Sequence, residues 1–379
     1  MIKSALFFIS IIFYANLVFA FETSAKQAYV VDVLSGKVLL AKNENEKISP
    51  ASITKIMTTI VAFDLIKKGE LRLEEKFKIS KKAWRMSSKG YSSMFIMPGD
   101  KVSVEDLLKK IIIVSGNDAC VALAQGIAGT EEEFVNMMNS MAKKIGLYET
   151  KFSNSSGLYD ENNYSTAKDI VNMSIYLINN FPKLYEYYKI KKFTWDRTGG
   201  APITQGNRNP ILYKDMGGDG LKTGHLQDSG YSLAATTKKN TRRLISVVSG
   251  LNSKRERSIE TIRLLSYAKN RYDLLKINKK DNNFIIKTWN LKPKKVQLVL
   301  SNDIYLTIPK RQKSKIKIEI EHDDVLLKNV VKKGQPISKL NIYYDNKLIK
   351  SEVLYSSIQT TKENFFIRFI NSISYFIWG

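Results

Sequence analysis

Three short clusters, in order and far apart, constrain this chain more than anything else in it: Ser52-Ile53-Thr54-Lys55, Ser115-Gly116-Asn117 and Lys222-Thr223-Gly224. Together they hold a nucleophile, a lysine to take its proton, a polar bridge and a cationic strand edge for a carboxylate, which is what a serine acyl-transferase needs. Each alone has an ordinary reading: a polar turn of helix, a helix cap at Asn117, a surface turn. As one site, they require a fold that brings a helix, a tight connection and a sheet edge together.

Ser49-Pro50-Ala51 predicts a helix start, with serine ahead of proline. The segment carries Ile53, Ile56, Met57, Ile60, Val61, Ala62, Phe63 and Leu65 and stops at Gly69 after two lysines. Apolar residues cover most of its circumference, so it should be buried. Three apart on a helix, Ser52 and Lys55 share one face. The Ser52 N–H, in the first turn, is a natural oxyanion donor. Lys55 serves as base only when neutral, and moving a lysine pKa from about 10.4 to near 7 costs about 4–5 kcal/mol. Burial and a second cation push that way, and Lys222 is the expected cation.

Ser115-Gly116-Asn117 follows the apolar run Ile111–Val114 and precedes another helix, so it falls on a tight connection. Ser115 can relay a proton to the leaving amine, and the Asn117 amide can hold both a substrate carbonyl and Lys55. Lys222-Thr223-Gly224 is expected at the start of an edge strand running on through Tyr231. There Gly224 would let a substrate backbone approach, and an extended peptide could add as a strand with its carboxylate at Lys222 and Thr223.

The two ends address the compartment. Lys3, the apolar run Ala5–Val18 and the small residue closing Val18-Phe19-Ala20 read as an export signal over residues 1–20, with a retained anchor as the alternative. Cys120 is the sole cysteine, so no intrachain disulfide can form. From Lys362 to Trp378, Phe366, Phe369, Ile370, Ile373, Phe376 and Ile377 recur at helical spacing opposite Asn364, Arg368, Asn371 and Ser372. The stretch is too short and polar to span a bilayer. It predicts a helix lying in the membrane surface, Tyr375 and Trp378 at headgroup depth, with docking on the protein's own core as the alternative. A net charge of +24, spread along 379 residues, suits anionic surfaces. No zinc spacing, helix-turn-helix or RNA-binding motif accompanies it, so nucleic acid is not an expected partner.

Between the ends, Tyr29–Val33 and Val38–Ala41 predict a hairpin. Helices are expected at Val104–Ile113, Asp118–Ile127, Glu131–Ile145, Thr166–Asn179 and Glu256–Leu275, and a second hairpin pairs Tyr231–Thr237 with Arg243–Ser249. This is an α/β (α+β) domain whose antiparallel sheet is built from both of its ends. Past Lys276–Asn283 come five or six short strands. The alternations Ile304/Leu306/Ile308 and Ile316/Ile318/Ile320 each mark one buried face, with turns at Gly334-Gln335-Pro336 and Asp345-Asn346. A small all-β module of sandwich type is expected. The domain plan is 1–20, 21–276, 277–358 and 359–379.

The chain resembles the low-molecular-mass penicillin-binding proteins, specifically the D-alanyl-D-alanine carboxypeptidases with a C-terminal β-domain and an amphipathic anchor. Besides the three clusters, the likeness rests on Ser92-Ser93-Met94-Phe95, Pro98-Gly99-Asp100, Asp118-Ala119-Cys120, Asn154 through Gly157, Tyr164-Ser165-Thr166-Ala167, Asn207-Arg208-Asn209, Asp219-Gly220-Leu221 and His225. Asp303 through Pro309 adds to it in the β-domain.

The resemblance implies a penicillin-binding/serine β-lactamase-like transpeptidase domain in which Ser52 is acylated and Lys55 is the base. Ser115 and Asn117 would form a second wall, and Lys222, Thr223 and Gly224 a third. The His225 N–H would be a second oxyanion donor, and Arg208 a further candidate for the substrate carboxylate. The implied partners are peptidoglycan stem peptides, β-lactams and the membrane surface. The implied location is the periplasm, on the outer face of the cytoplasmic membrane, and no cofactor or metal is called for. Where the family usually has threonine, Leu226 stands here. The rival readings are a class A β-lactamase, an endopeptidase on wall cross-links and a non-catalytic wall-binding scaffold.

Overall fold

The computed structural model describes residues 21–88, 91–196, 200–281, 283–288, 290–322 and 329–378, without the side chains of residues 88, 372 and 374–378. The expected export signal over residues 1–20 and the side chains of Ser372, Tyr375, Phe376, Ile377 and Trp378 lie outside this set.

Strands β1 (Gln27–Asp32) and β2 (Lys37–Lys42) form the first hairpin. A 3₁₀ turn over Ala51–Thr54 leads into α1 (Lys55–Lys68), which ends at Gly69 in the left-handed region, φ 78°. No side chain caps this start, and Ala51 itself has φ 50°, so the expected serine cap is replaced by a tight turn that sets Ser52 just ahead of the regular helix. Then come β3 (Lys76–Lys78), α2 (Lys81–Ser88), β4 (Lys101–Ser103), α3 (Val104–Ile113), α4 (Asn117–Ala128), α5 (Glu131–Lys144) and α6 (Ala167–Asn180). Ser103, Thr130 and Thr166 cap α3, α5 and α6 by accepting from the N–H three residues on, contributing about 1 kcal/mol each. The hairpin β5 (Lys192–Trp195) and β6 (Ile203–Gly206) follows, then β7 (Gly218–Leu226), β8 (Gly230–Lys239), β9 (Arg242–Leu251) and α7 (Lys254–Arg271).

The central antiparallel sheet has the order β2-β1-β9-β8-β7, so both ends of the domain build it, and β7 is an edge. Its alternating side chains serve two cores. Tyr29, Val31, Ala234, Ile245 and Val247 face the helical body, whereas Ala28, Val30, Leu233, Ala235 and Val248 face Leu264, Leu265 and Ala268 of α7. Helix α1 runs through the first core, with Lys55 to Phe63 all buried. Full burial of a residue such as Ile56, Ile60 or Phe63 contributes about 1.5–3 kcal/mol.

The predicted α7 runs four residues too far: Tyr272–Ile277 is strand β10, paired antiparallel with β14 (Ile304–Pro309). That long-range pairing overrides a local pattern compatible with either state. The remaining elements are β11 (Ile285–Lys287), β12 (Leu291–Lys292), β13 (Lys295–Val299), β15 (Ile316–His322), β16 (Pro336–Tyr344), β17 (Lys347–Ser356), β18 (Thr361–Lys362) and α8 (Phe365–Trp378). The five-stranded sheet β11-β13-β17-β16-β15 and the pair β10-β14 share one core, with Ile304 and Leu306 against Leu298, Leu340 and Leu354. Asp345 and Asn346, both at positive φ, make the β16–β17 turn. Ile318 is 44 % exposed rather than buried, because β15 is the edge of its sheet and only Ile316 and Ile320 reach the core.

Candidate active site

Four segments converge on Ser52. The Lys55 amine lies 3.0 Å from Ser52 Oγ and donates to Asn117 Oδ1 at 2.7 Å and to the Ser156 carbonyl at 2.5 Å. Two of its hydrogens therefore have fixed acceptors. When the amine is neutral, its lone pair is left for the serine hydroxyl. Lys55 is 1 % exposed, and burial pushes it down to about 8; Arg208 acts in the same direction, while Cys120 and Asp118 oppose. Lys222, the expected second cation, is coupled to Lys55 as well. Lys222 is itself buried and held well below the ordinary lysine range, first by burial and then by Lys55 and Arg208.

Ser115 has φ 70° in the turn between α3 and α4, and Asn117 is the first residue of α4, so its amide turns inward to Lys55 rather than capping the helix. Behind it, the buried Asp118 carboxylate accepts from Ser87 Oγ, Ser93 Oγ and the N–H groups of Met94 and Phe95. The Ser92 carbonyl accepts from the Asn117 N–H at 2.8 Å. These bonds fix the segment around Ser92 as a rim over the site.

The Ser156 carbonyl is presented by a loop wound on Asn154, whose Oδ1 accepts from the N–H groups of Ser156, Gly157 and Leu158. Thr58 of α1 donates to the Ser155 carbonyl at 2.6 Å. Gly157, at φ 77°, crosses the nucleophile turn so closely that a Cβ would sit 1.8 Å from the Ala51 carbonyl oxygen.

Lys222-Thr223-Gly224 falls in the middle of β7 rather than at its start, paired with Ala234, Leu233 and Ser232. A Cβ on Gly224 would lie 2.9 Å from the Pro50 carbonyl oxygen and 3.3 Å from Ile53. The glycine thus admits the protein's own nucleophile turn against the strand, where a substrate backbone was expected. The start of β7 is clamped by Arg243, which donates twice to Asp219 at 2.7 Å with Tyr185 on the same carboxylate.

Ser52, Ser92, Ser115, Arg208, Thr223, Gly224 and His225 line one cleft of about 450 Å³ with Tyr231, Lys254 and Arg257. Arg208 spans its mouth, donating to Ser92 Oγ at 2.6 Å. The His225 ring stacks on Tyr231 at 3.9 Å. Three residues to which the sequence assigned no role matter here. Arg257 is 7 % exposed, donates weakly to the Gly224 carbonyl at 3.4 Å, and its Nε has no hydrogen-bond partner among the described residues. In Lys254-Arg255-Glu256-Arg257 it reads as a solvated helix start, so only the fold exposes its role. Ser156 acts through its backbone carbonyl and Asp118 through the hydrogen bonds its buried carboxylate accepts, partners that only the fold brings to them. Two arginines and one lysine, with no carboxylate among the lining residues, suit the cleft to an anionic group.

A family model described as D-alanyl-D-alanine carboxypeptidase, peptidase family S11, matches residues 15–253, and one described as penicillin-binding protein 5, C-terminal domain, matches residues 272–362. D-alanyl-D-alanine carboxypeptidase DacC of Escherichia coli K12 is 35 % identical over 352 residues, covering 92 % of this chain and 87 % of its own. The crystal structure of penicillin-binding protein 5 from Haemophilus influenzae superposes with a TM-score of 0.79 at 34 % identity, covering 91 % of this chain and all of that one. Penicillin-binding protein D2 from Listeria monocytogenes, solved in its cefotaxime-bound form, covers 65 % of this chain and 98 % of its own, with a TM-score of 0.58 and 29 % identity. With its acyl-transferase clusters on one cleft and its β-module matched in turn, the chain belongs to the S11 family of serine-type D-alanyl-D-alanine carboxypeptidases, within the penicillin-binding proteins.

Proposed function

We propose that this protein removes the terminal D-alanine from peptidoglycan pentapeptides through an acyl-Ser52 intermediate, and that β-lactams acylate the same serine. The observation that carries this reading is the Lys55 amine, buried, depressed to about 8 and within 3.0 Å of Ser52 Oγ. Neutral Lys55 takes the Ser52 proton as Oγ attacks the penultimate D-Ala carbonyl. Developing charge on that oxygen is met by backbone N–H groups of Ser52 and His225. Collapse breaks the peptide bond, and the proton passes from Lys55 through Ser115 to the departing amine. Water then attacks the ester, with Lys55 again as base, and frees Ser52. Thr223, Lys222 and Arg208 receive the terminal carboxylate, with Arg257, which also lines the cleft, as a further cation.

The location belongs to the same proposal. Phe365, Phe366, Phe369 and Ile370 of α8 are 60–78 % exposed, which supports a membrane-surface helix over one docked on the protein's own core. No helix among the described residues is long and apolar enough to cross a membrane. We read the chain as exported and peripheral on the outer face of the cytoplasmic membrane. Purified protein should release D-alanine from diacetyl-L-lysyl-D-alanyl-D-alanine, and Ser52→Ala should release none. Wild-type turnover by Ser52→Ala would reject the nucleophile, and wild-type protein that leaves this substrate intact would reject the activity.

A further inference from the structure

A second cationic cleft, of about 300 Å³, lies at the foot of α8, remote in sequence from the acylation clusters. Its walls include Lys287 from the end of β11, Lys294 and Lys295 at the start of β13, and Asn290 between β11 and β12. Asn371 of α8 closes it, donating to Asn290 Oδ1 at 2.9 Å. The helix thus turns a polar residue onto the cleft, while Phe365, Phe366, Phe369, Ile370 and Ile373 stay exposed. One carboxylate also lines the cleft, that of Glu363. Its side chain is 4 % exposed and paired with Lys292 at 3.3 Å, so its charge is offset by a fourth lysine. Lys287, Lys294 and Lys295 are exposed, leaving an excess of positive charge at the rim.

We propose that this cleft receives the phosphodiester headgroup of an anionic phospholipid while the apolar side of α8 lies at the acyl boundary. Charge complementarity favours that occupant. A zwitterionic headgroup brings its own cation against the lysines, whereas an anionic one brings a net charge that three ammonium groups and the Asn290 and Asn371 amides can share. Both parts of the ligand are met within one element's reach, the phosphate beside α8 and the hydrocarbon beneath it. The inference rests on α8 being a membrane-surface helix and adds the lipid class that it selects.

The test is co-sedimentation of the exported, full-length chain with phosphatidylcholine vesicles, with and without phosphatidylglycerol. The cleft variant is Lys287→Gln/Lys294→Gln/Lys295→Gln, and the charge-matched control is Lys101→Gln/Lys143→Gln/Lys168→Gln, on exposed sites of the catalytic domain. D-Alanine release by both variants verifies folding. Each lysine held at an anionic surface contributes about fivefold, so the cleft variant should lose about a hundredfold in affinity for phosphatidylglycerol vesicles and the control less than about tenfold. Equal losses in both variants would overturn the cleft in favour of diffuse charge, as would retention of wild-type affinity by the cleft variant. Weakened binding to peptidoglycan sacculi with vesicle binding intact would also overturn it and give the cleft to a wall polymer. Truncation after Thr361 separates the two readings. Undiminished vesicle binding by the truncated chain rejects the helix itself, whereas lost binding there with an unaffected cleft variant rejects only the headgroup site.

Discussion

In the proposed reaction Lys55 is the residue on which the chemistry turns, since it must be neutral to take a proton and charged to give one back. Its pKa of about 8 falls between bulk lysine and neutrality, and the sign of the pH dependence follows. Below that value the amine is an ammonium and cannot act as base, so acylation by a β-lactam should rise with pH and level off above about 8. Because Lys222 is depressed by Lys55, the measured midpoint belongs to the pair. A stopped-flow acylation profile checks this, and a flat or falling rate between pH 6 and about 9 would contradict it. Burial pushes the thiol of the neighbouring Cys120 up to about 12, against the opposing pull of Lys55. At this scale the sequence was legible wherever a side chain carries the chemistry, as for Ser52, Lys55 and Asn117. It was silent on the Ser156 carbonyl, because any residue type supplies a carbonyl and only the path of the backbone aims it.

Among the elements, the nucleophile turn is held by two glycines from different parts of the chain. Gly157 and Gly224 press on Pro50–Ile53 from the loop and from β7, and neither leaves room for a Cβ. Gly157→Ala meets both the positive φ and a backbone oxygen, so it should destabilise by about 3 kcal/mol or more and lower the acylation rate. Gly334→Ala is the comparison: φ is 79° there as well, yet nothing lies within 4 Å, and about 1 kcal/mol with unchanged acylation is expected. Thermal melts and acylation rates of the two variants settle it, and matching effects would show that the close approach is unimportant. Helices α3, α5 and α6 were legible to within a residue at their starts because a serine or threonine caps each. The first turn of the nucleophile helix and the switch from α7 to β10 were not. The first depends on Ala51 standing at positive φ, and the second on pairing with a strand near residue 306.

For the whole molecule, the catalytic sheet and the β-module meet at Asp32. This fully buried carboxylate accepts from Arg242 Nε at 2.7 Å and from Thr307 of β14 at 2.9 Å, while Ser35 bonds Thr307 at 2.7 Å. Arg242 also donates to the Tyr272 carbonyl at 2.8 Å, so one cluster ties β1, β9, β10 and β14. Arg242→Ala strands a buried charge and should cost about 3–5 kcal/mol of stability. Acylation of the folded fraction should stay near wild type, since Arg242 lies outside the cleft lining. A fall in acylation with no change in thermal stability would show coupling to the site instead of a structural joint. The two-part architecture was legible in the sequence from the change of pattern near residue 280, but this joint was not, as its members are 275 positions apart.

The central claim is that Ser52 becomes covalently acylated, and peptide mapping by mass spectrometry after exposure to a penicillin tests it most directly. One penicilloyl adduct per chain on the peptide containing Ser52, absent from Ser52→Ala, is the predicted result. An adduct on Ser115 or another residue, or equal labelling of the Ser52→Ala protein, would contradict it.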